Sequence, residues 1–563
     1  MILTEEQERF LKEKNYLQGN ETISERLDSI VGVVKSYEAA YKEVGLSERV
    51  REWVDKKYIS LSTPQLANVG RSKHVGSKTQ PLPCSCNIIG VGNSIDSIYR
   101  GILEAAMLSK LGGGVGANFN KVSDEGTTLE QGFKTNPKLD WVEDYVRTGQ
   151  KVSQNSVRRG YVAPYDSIES GEFWEYMERL DKNNPNKKDP LINNTFGVIL
   201  PKGFWSRFAK DKELQKRYLY VLQQRKLIGR IYLLDVDNCN KNKSPVYEIL
   251  NHSVDSGNIC TEALTPNYTD KTFACMLLSL NLKHWDIIKE NKQIIRDAYI
   301  LLDIFVQLYI DLGKQVPAIA RAIKSAEDKR DIGLGTLGFH DYLQSKMMPF
   351  GGMESRWVNK EIYSTIREVG EDYTKEFGAK LGSPKMCQEA GLVRRNVSLM
   401  MVAPNKSTSF FMDTSEGINP WFNNYGEIKL AGIESSFKNW HLERLLKEKG
   451  KNSVEVWESI QDNIGSVQHL DFLSDDEKAV FKTAPEISPK DIIDLASDRQ
   501  KYIDMGQSIN LWFRPNYTDQ DIYDIHKYAW SKDIKTLYYA FAQSHAALEV
   551  DGGNWNDCES CAD

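Results

Sequence analysis

Five consecutive residues, Asn258-Ile259-Cys260-Thr261-Glu262, carry side chains whose types and spacing suit chemistry. In an extended backbone, side chains two positions apart point to the same side, so an amide, a thiol and a carboxylate would face one space. A helix would turn the thiol away, and the glycine just before this stretch and the proline shortly after it disfavour a helix. The set could hold a hydroxyl, accept its proton and let sulfur attack a neighbouring atom. Taken alone, the pentapeptide is more simply explained as a polar loop with a buried thiol.

Eight cysteines are spread thinly along 563 residues, unlike the disulfide framework of a small secreted protein. In a reducing cytosol such thiols are buried, metal-bound or redox-active. Cys558 and Cys561 form a C-x-x-C pair within six residues of the C-terminus. Half a zinc site is one explanation, with Cys84 and Cys86 as the only other close pair. Thiol–disulfide exchange, which requires one sulfur to reach another, is the better explanation.

Charge and hydropathy exclude several classes of function. The net charge is −6, from 72 basic and 78 acidic residues, so no basic surface for a nucleic-acid backbone is expected. The first six residues lack the layout of a signal peptide. The longest apolar run, residues 298–312, is interrupted by Asp303, Gln307 and Asp311, which argues for a core helix and against a membrane span. We therefore expect a cytoplasmic protein without nucleic-acid or membrane partners.

The elements that must position these residues are helices mixed with short apolar strands. Thr22 and Glu25 form a possible capping box before residues of helical periodicity. The patterns predict helices at 22–45, 47–57, 94–111 and 291–313, and buried strands at 195–200, 230–234 and 398–403. This alternation is typical of α/β proteins with parallel strands. We place an N-terminal helical region at 1–82 and a mobile tail at 546–563, where five acids occur without a base.

Three further patterns are weak when taken singly. Gly333–Gly338 matches a dinucleotide-binding motif, but charged residues precede it where an apolar strand is needed, so a packing role is preferred. Residues 404–409 follow an apolar strand and could cradle a phosphate with backbone N–H groups and hydroxyls, although such clusters are usually turns or caps. The adjacent Tyr538 and Tyr539 normally indicate packing, and become informative only for single-electron chemistry.

Together and in this order, the motifs resemble the catalytic large subunit of class I ribonucleotide reductases, from about residue 20 onwards. The resemblance implies a ten-stranded α/β barrel of two five-stranded halves over residues 83–545, with the pentapeptide as a finger loop inside it. It also implies roles for nine residues. These are Cys260 as the thiyl-radical cysteine, Glu262 and Asn258 beside it, Cys86 and Cys275 as reducing thiols, Tyr538 and Tyr539 as a radical relay, and Cys558 and Cys561 as a swinging tail.

The resemblance further implies binding sites and partners. The implied substrate contacts are Thr63, Ser85, Gly114, Pro404, Asn405, Lys406, Ser407 and Thr408, and the implied effector contacts are Asn93, Ser94, Ile95, Lys121, Gln154 and Arg158. We expect ribonucleoside diphosphates as substrates, and deoxynucleoside triphosphates or ATP with Mg²⁺ as specificity effectors. We expect no covalently bound cofactor and no metal site in this chain, because the radical comes from the metal site of a separate small subunit. Thioredoxin or glutaredoxin as reductant and a homodimeric state are also implied.

The residue types make chemical sense for this reaction. A thiyl radical on Cys260 can take the 3′ hydrogen of a ribose, which makes the neighbouring 2′-hydroxyl a better leaving group. Glu262 can accept the 3′-hydroxyl proton while Asn258 holds the hydroxyls. A dithiol that becomes a disulfide supplies the two electrons, and a second, mobile dithiol must then renew it.

Two departures and three alternatives accompany the resemblance. The N-terminal ATP-binding domain of many large subunits is expected to be absent, and Asn93 stands where an acidic residue is common. The alternatives are a cobalamin- or glycyl-radical reductase, a nucleotide-binding scaffold that has lost catalysis, and a thiol oxidoreductase built on the tail cysteines alone. The tyrosine pair opposes the first, the retained cysteines and Glu262 oppose the second, and the third leaves the internal residues unexplained.

Overall fold

The structure is a computed structural model that describes residues 1–72, 80–128, 134–154, 157–181, 183–192, 194–430 and 433–542. The strands in these ranges are β1 Ile59–Leu61, β2 Cys86–Gly90, β3 Gly114–Asn118, β4 Val162–Ser167, β5 Phe196–Leu200, β6 Ile231–Asp235, β7 Val254–Gly257, β8 Leu264–Pro266, β9 Phe273–Ala274, β10 Leu277–Asn281, β11 Gly333–Leu337, β12 Tyr425–Leu430, β13 Ile433–Lys438, β14 Leu511–Phe513, β15 Thr536–Leu537 and β16 Ala540–Ala542.

The α-helices in the same ranges are α1 Glu5–Glu13, α2 Ile23–Tyr41, α3 Leu46–Asp55, α4 Thr63–Asn68, α5 Ile95–Lys110, α6 Lys138–Lys151, α7 Phe173–Leu180, α8 Phe204–Phe208, α9 Lys212–Ile228, α10 Val236–Cys239, α11 Pro245–Ile249, α12 Trp285–Glu290, α13 Gln293–Gly313, α14 Ala320–Lys329, α15 Phe339–Ser345, α16 Met353–Leu381, α17 Lys385–Glu389, α18 Lys406–Met412, α19 Trp440–Glu448, α20 Val454–Asp462, α21 Asp475–Val480, α22 Pro489–Gln500 and α23 Asp519–Ser531. Short 3₁₀ helices occupy Leu282–His284, Pro317–Ile319 and Ala484–Glu486.

The first half of the central sheet is a run of five parallel strands, in the order β2-β3-β4-β5-β6. The register pairs Cys86 with Gly114 at one end of the run and Phe196 with Ile231 at the other. These strands are buried almost throughout, as expected for parallel strands covered on both faces. The strands predicted at 195–200 and 230–234 are therefore confirmed as β5 and β6.

The second half of the barrel also consists of five adjacent segments. Strand β10 pairs in parallel with β11, whose Leu334 N–H donates to Leu399 O at 2.9 Å. Segment 398–403 then bridges in parallel to Gln507, and the Tyr538 N–H donates to Ile509 O at 2.9 Å. The predicted strand 398–403 thus lies in the sheet but forms only one isolated bridge.

A side chain explains why segment 398–403 is not a regular strand. The Asp504 carboxylate accepts hydrogen bonds from the backbone N–H groups of Leu399 and Met400, at 3.0 and 2.9 Å. Those two donors are therefore not available to a neighbouring strand. Residue pattern alone could not reveal this competition.

The two halves close into a barrel through antiparallel contacts at both edges. On one side, β15 pairs with β6, with Thr536 opposite Leu234. On the other side, β9 pairs with β2, and the Cys275 N–H continues that ladder with a 2.8 Å hydrogen bond to Cys86 O. The ten-stranded barrel of two five-stranded halves is thus confirmed.

A hairpin formed by β7 and β8 fills the centre of the barrel and contacts both halves. From the first half, the Tyr165 hydroxyl donates to Asn258 O at 2.6 Å, and a Cβ at Gly116 would collide with the hairpin backbone. From the second half, the Ser508 hydroxyl donates to Cys260 O at 2.5 Å. The absence of a side chain at Gly116 therefore allows the hairpin to pack directly on the sheet.

The helices predicted from the sequence are confirmed, both in the N-terminal region and beyond it. Thr22 and Glu25 form the predicted capping box at the start of α2, and α3, α5 and α13 match the other predicted helices. Strand β1 of this region pairs with barrel strand β10, and its buried side chains join the main core. A boundary at residue 82 stays a prediction.

No helix among the described residues is long and apolar enough to cross a membrane.

Candidate active site

The pentapeptide 258–262 forms the tip of the central hairpin, and our prediction of an extended backbone there is wrong. The strands end at Gly257 and resume at Leu264, and Thr261 adopts a left-handed conformation with φ +67°. The Asn258 Oδ1 accepts a hydrogen bond from the Ala263 N–H at 3.1 Å, which closes the turn. The turn, rather than the alternation of an extended strand, brings Asn258 and Glu262 together.

Cys260 lies at the centre of a compact group of reactive atoms. Its sulfur, the Cys86 sulfur and a Glu262 carboxylate oxygen all lie within 4.8 Å of one another. The Tyr538 hydroxyl lies 3.7 Å from the Cys260 sulfur, within the range of a hydrogen bond to sulfur. Cys260 is only 2% exposed, so its sulfur is shielded from bulk solvent.

Glu262 is a buried carboxyl that accepts a hydrogen bond from Asn258 and lies beside the Ser508 hydroxyl. The Asn258 side-chain amide donates to it at 2.8 Å, and the Ser508 hydroxyl lies 3.2 Å from its other oxygen. Burial raises the pKa of Glu262 to about 7, while its own backbone N–H, the Asn258 amide and the Ser508 hydroxyl act in the opposite direction. A carboxyl with this pKa can accept and return a proton near neutral pH. Ser508 was missed in the sequence because a lone serine some 250 residues away carries no local signal.

Cys86 and Cys275 lie opposite each other where β2 meets the chain leading into β10. The register of the β2–β9 ladder, with Asn87 opposite Ala274, places these two cysteines directly across from one another. Opposite residues of antiparallel strands have Cα atoms about 4.5–5.5 Å apart, which falls within the range that a disulfide spans. The two positions are therefore compatible with a disulfide, and both cysteines are free thiols here.

The buried thiols are held in their protonated form. Burial raises the pKa of Cys260 and of Cys275 well above the ordinary thiol value, and the nearby Cys86 and Glu262 act in the same direction. Such thiols are poor nucleophiles, because the thiolate is the nucleophilic form. Their S–H bonds remain available for transfer of a hydrogen atom.

The tyrosine pair continues from Cys260 towards the barrel edge. The rings of Tyr538 and Tyr539 have centroids 4.0 Å apart and planes inclined by 48°. Burial raises the pKa of both phenols above the ordinary value. Each tyrosine must therefore lose its proton together with an electron if it is to carry a radical.

A third tyrosine, absent from our sequence prediction, packs against both members of the pair. Tyr232 on β6 lies with its ring centroid 4.9 Å from that of Tyr538 and 5.6 Å from that of Tyr539. It comes from the other half of the barrel, about 300 residues away. No feature of the local sequence around Tyr232 indicates this contact.

The predicted substrate residues line one end of the barrel. The hydroxyls of Thr63 and Ser85 are buried and have no hydrogen-bond partner among the described residues, so each could still bond to a further polar group. The Gly114 N–H donates to Ser85 O at 3.0 Å, and a Cβ at Gly114 would collide with Ile259 of the finger loop. The absence of a side chain at Gly114 therefore leaves room for the loop, and its role in substrate binding stays a prediction.

The predicted phosphate loop, Pro404 to Thr408, leads into α18 and is tied to the same end. Asn405 has a left-handed backbone with φ +57°, and its side-chain amide lies 3.1 Å from the Ser279 hydroxyl and 3.3 Å from that of Thr408. Lys406 and Ser407 begin α18, so their N–H groups lie at a helix N-terminus, a natural place for a phosphate.

The predicted effector residues fall into two groups. Asn93 and Lys121 follow the C-terminal ends of β2 and β3, where Asn93 exchanges hydrogen bonds with Ser123 at 2.7 and 2.9 Å. Ser94 caps α5 and Ile95 begins it. Gln154 and Arg158 are instead buried near the opposite end of β3, where the Gln154 amide donates to Asn68 at 2.8 Å. Within one copy of the chain, the six predicted effector residues therefore do not form a single site.

The remaining predictions concern the tail cysteines and the expected lack of a metal site. Cys558 and Cys561 lie outside the described residues. Cys86, Cys260 and Glu262 together also form a donor set of two sulfurs and one carboxylate that suits a thiophilic metal ion. The expected lack of a metal site in this chain therefore stays a prediction.

A closed α/β barrel that places a finger loop with a buried thiol, a carboxyl and a tyrosine pair around one space defines an enzyme of the thiol-dependent oxidoreductase class. A family model described as "Ribonucleotide reductase, barrel domain" matches residues 84–219, 221–385 and 384–540. The chain belongs to the ribonucleotide reductase family, as the sequence resemblance implied.

Relatives from a virus, an animal and a bacterium support this assignment. The chain is 29% identical to the ribonucleoside-diphosphate reductase large subunit of Invertebrate iridescent virus 3, covering 92% of each chain. It is 25% identical to the large subunit of Caenorhabditis elegans, covering 86% of this chain and 69% of that one. The solved class Id ribonucleotide reductase alpha subunit of Actinobacillus ureae is 31% identical, with a TM-score of 0.86 and coverage of 96% and 97%.

Proposed function

We propose that this chain is the large subunit of a class I ribonucleotide reductase, and that it reduces ribonucleoside diphosphates to deoxyribonucleoside diphosphates. One observation carries the proposal: the Cys260 sulfur lies 3.7 Å from the Tyr538 hydroxyl and shares a 4.8 Å cluster with Cys86 and Glu262. A path for a radical and the groups for a reduction therefore meet at one sulfur. The names of the relatives, which are diphosphate reductase large subunits, agree with this substrate class.

The reaction begins with transfer of a hydrogen atom along the relay. A radical on Tyr538 takes the hydrogen of the Cys260 thiol, and the resulting thiyl radical takes the 3′ hydrogen of the ribose. Glu262 accepts the 3′-hydroxyl proton, and the 2′-hydroxyl leaves as water. A pKa of about 7 leaves a substantial fraction of Glu262 ionised at neutral pH and able to accept that proton.

The remaining steps restore the radical and balance the electrons. Cys86 and Cys275 together give two electrons and two protons to the sugar and its leaving hydroxyl, and become a disulfide. Glu262 then returns its proton to the 3′ oxygen, Cys260 returns its hydrogen to C3′, and the radical goes back to Tyr538. The net reaction converts one ribonucleotide and one dithiol into one deoxyribonucleotide, one disulfide and one water.

Other proteins and ligands complete the proposed enzyme. A metal-containing small subunit supplies the radical through Tyr539 and Tyr538, and the tail cysteines pass reducing equivalents from thioredoxin or glutaredoxin to the Cys86–Cys275 disulfide. Thr63, Ser85, Gly114 and the 404–408 loop hold the substrate and its phosphates. Deoxynucleoside triphosphates or ATP with Mg²⁺ act as specificity effectors on a homodimer.

An assay of deoxycytidine diphosphate formation from cytidine diphosphate, with and without a candidate radical-generating small subunit, tests this proposal. Product is expected only when both proteins and a dithiol reductant are present. Product formed by this chain alone would instead favour a cobalamin- or glycyl-type radical source. Failure to form product with several active small subunits would favour a nucleotide-binding scaffold.

A further inference from the structure

A cleft of about 840 Å³ lies away from the proposed active site and is lined by several cationic side chains. It is lined by the loop after α10, by α11, by α16 and by residues 392–394. The cleft therefore opens near the C-terminal end of β6, whereas Ser85 and Gly114 lie where β2 and β3 begin. We call it the basic cleft, and its cations are Lys241, Lys243, Arg367, Lys375 and Arg394.

The cations of the basic cleft exceed its carboxylates. Glu248 and Glu371 are the two acidic residues of the lining, so five cations face two anions and the excess is three. Two further carboxylates lie just beyond the lining, where Asp504 pairs with Arg367 at 3.1 Å and Asp533 pairs with Lys241 at 2.5 Å. The excess is still one positive charge when these two are counted.

Two of the cations have binding capacity to spare. Arg394 is 4% exposed, and its Nη2 is buried without a hydrogen-bond partner among the described residues. Its Nη1 contacts Glu371 at 2.5 Å, which holds the guanidinium in place. Lys375 is exposed on α16, and no carboxylate in the described part of the chain lies within ion-pair distance of it. A buried donor without an acceptor costs free energy, and this nitrogen would gain an acceptor if a small shift of the guanidinium brought it to an anion in the cleft.

The arginines are fixed before any ligand arrives. Glu371 accepts from both Arg367 and Arg394, at 2.5 Å each, and so sets the spacing of the two guanidinium groups. Fixed donors bind an anion at a lower cost in conformational entropy than free ones. The lining also has an apolar part, which we call the apolar wall, formed by Leu392 and by a Val393 that is 59% exposed.

We propose that the basic cleft is a binding site for a small phosphate-bearing anion, with polyphosphates and nucleoside polyphosphates as the matching class. Its volume lies in the range of small-molecule sites, and its planar guanidinium groups suit phosphate oxygens. The apolar wall offers a surface for a base or another ring. The site is separate from the substrate and effector residues described above, so it does not depend on the proposed function.

Calorimetric titration with inorganic tripolyphosphate tests the site. The titration uses the full chain carrying Lys406→Ala, because the 404–408 loop is itself a candidate phosphate site. Lys375→Glu is then introduced into this background, and Lys447→Glu is introduced separately as the matched control. Lys447 is also a helix lysine, 59% of its side chain is exposed, and it does not line the basic cleft. Binding is expected to weaken roughly ten-fold or more with Lys375→Glu and to stay unchanged with Lys447→Glu.

A parallel titration with ATP distinguishes the two sources of phosphate. If Lys375→Glu weakens both tripolyphosphate and one class of ATP sites, the cleft recognises the phosphate chain. If it removes only a class of ATP sites, the apolar wall and the base contribute as well. Equal binding of both probes to the Lys375→Glu and Lys447→Glu proteins, with Lys243→Ala also without effect, would overturn the proposal.

Discussion

Replacing Glu262 with glutamine separates the chemistry of this carboxyl from its effect on stability. The substitution keeps the shape of the side chain and an oxygen that can accept from Asn258, which donates at 2.8 Å in the native protein. It removes the group that takes the 3′-hydroxyl proton, so formation of deoxynucleotide is expected to fall by a factor of roughly 10² to 10⁴, the usual range for loss of a general base. Substrate binding is expected to remain.

The same substitution is expected to stabilise the protein at high pH. The folded state raises the pKa of Glu262 from 4.5 to about 7, so it holds the proton more tightly than the unfolded chain does. Stability from this group is therefore fully present below pH 4.5 and is lost as the pH rises through about 7. The loss amounts to about 3 kcal/mol of unfolding free energy, as an upper estimate. For a chain of this size that corresponds to about 3 °C in Tm.

Thermal unfolding of both proteins between pH 5 and pH 8.5 measures this effect. The Glu262→Gln protein is expected to unfold at about the wild-type temperature at low pH and at a higher temperature at pH 8 and above. Glu448→Gln is the control, because that side chain is 64% exposed and should give no pH-dependent difference. A Glu262→Gln protein that is less stable than wild type at pH 8, or one that retains full activity, would refute the reasoning.

Further predictions concern the sulfurs and the relay. Cys260→Ser is expected to abolish product formation while nucleotide binding survives. Cys239→Ser changes another buried thiol and should retain activity. Equal loss of activity in both variants would point to a packing effect. Tyr538→Phe keeps the ring that stacks at 4.0 Å but loses the O–H, so turnover with a radical subunit should stop without a change in Tm, and undiminished turnover would remove the relay. Replacing both tail cysteines is expected to allow about one round with pre-reduced protein, and sustained turnover with thioredoxin would contradict that role.

Much of the fold could be predicted because the decisive signals are local. The capping box at Thr22 and the apolar runs of β5 and β6 depend on neighbours within a few residues, and the structure confirms them. The barrel closure depends on pairings between residues about 190 to 300 positions apart, such as Thr536 with Leu234. It was predicted only through the family resemblance, because hydrophobic periodicity does not specify which strands pair.

The candidate site could be predicted in its residue types but not in its geometry. The alternating polar residues of 258–262 suggested an extended strand, whereas the left-handed Thr261 makes a turn that brings Asn258 to Glu262. Ser508 and Tyr232 come from distant segments of the chain and carry no motif of their own. Likewise, the pairing of Asp504 with two backbone N–H groups could not be seen in an apolar run that looked like a regular strand.

The central claim is that Cys86 and Cys275 supply the electrons for a reduction initiated at Cys260. It is tested most directly by a single-turnover experiment. Fully reduced protein is mixed with a radical-generating subunit and cytidine diphosphate in the absence of reductant, quenched with a thiol-blocking reagent, and analysed by peptide mapping. The tail cysteines are replaced by serine so that they cannot renew the site. We predict about one deoxynucleotide per active chain and a new Cys86–Cys275 disulfide in equal amount. Product formed while both cysteines remain free thiols, or a disulfide between a different pair, would contradict the account.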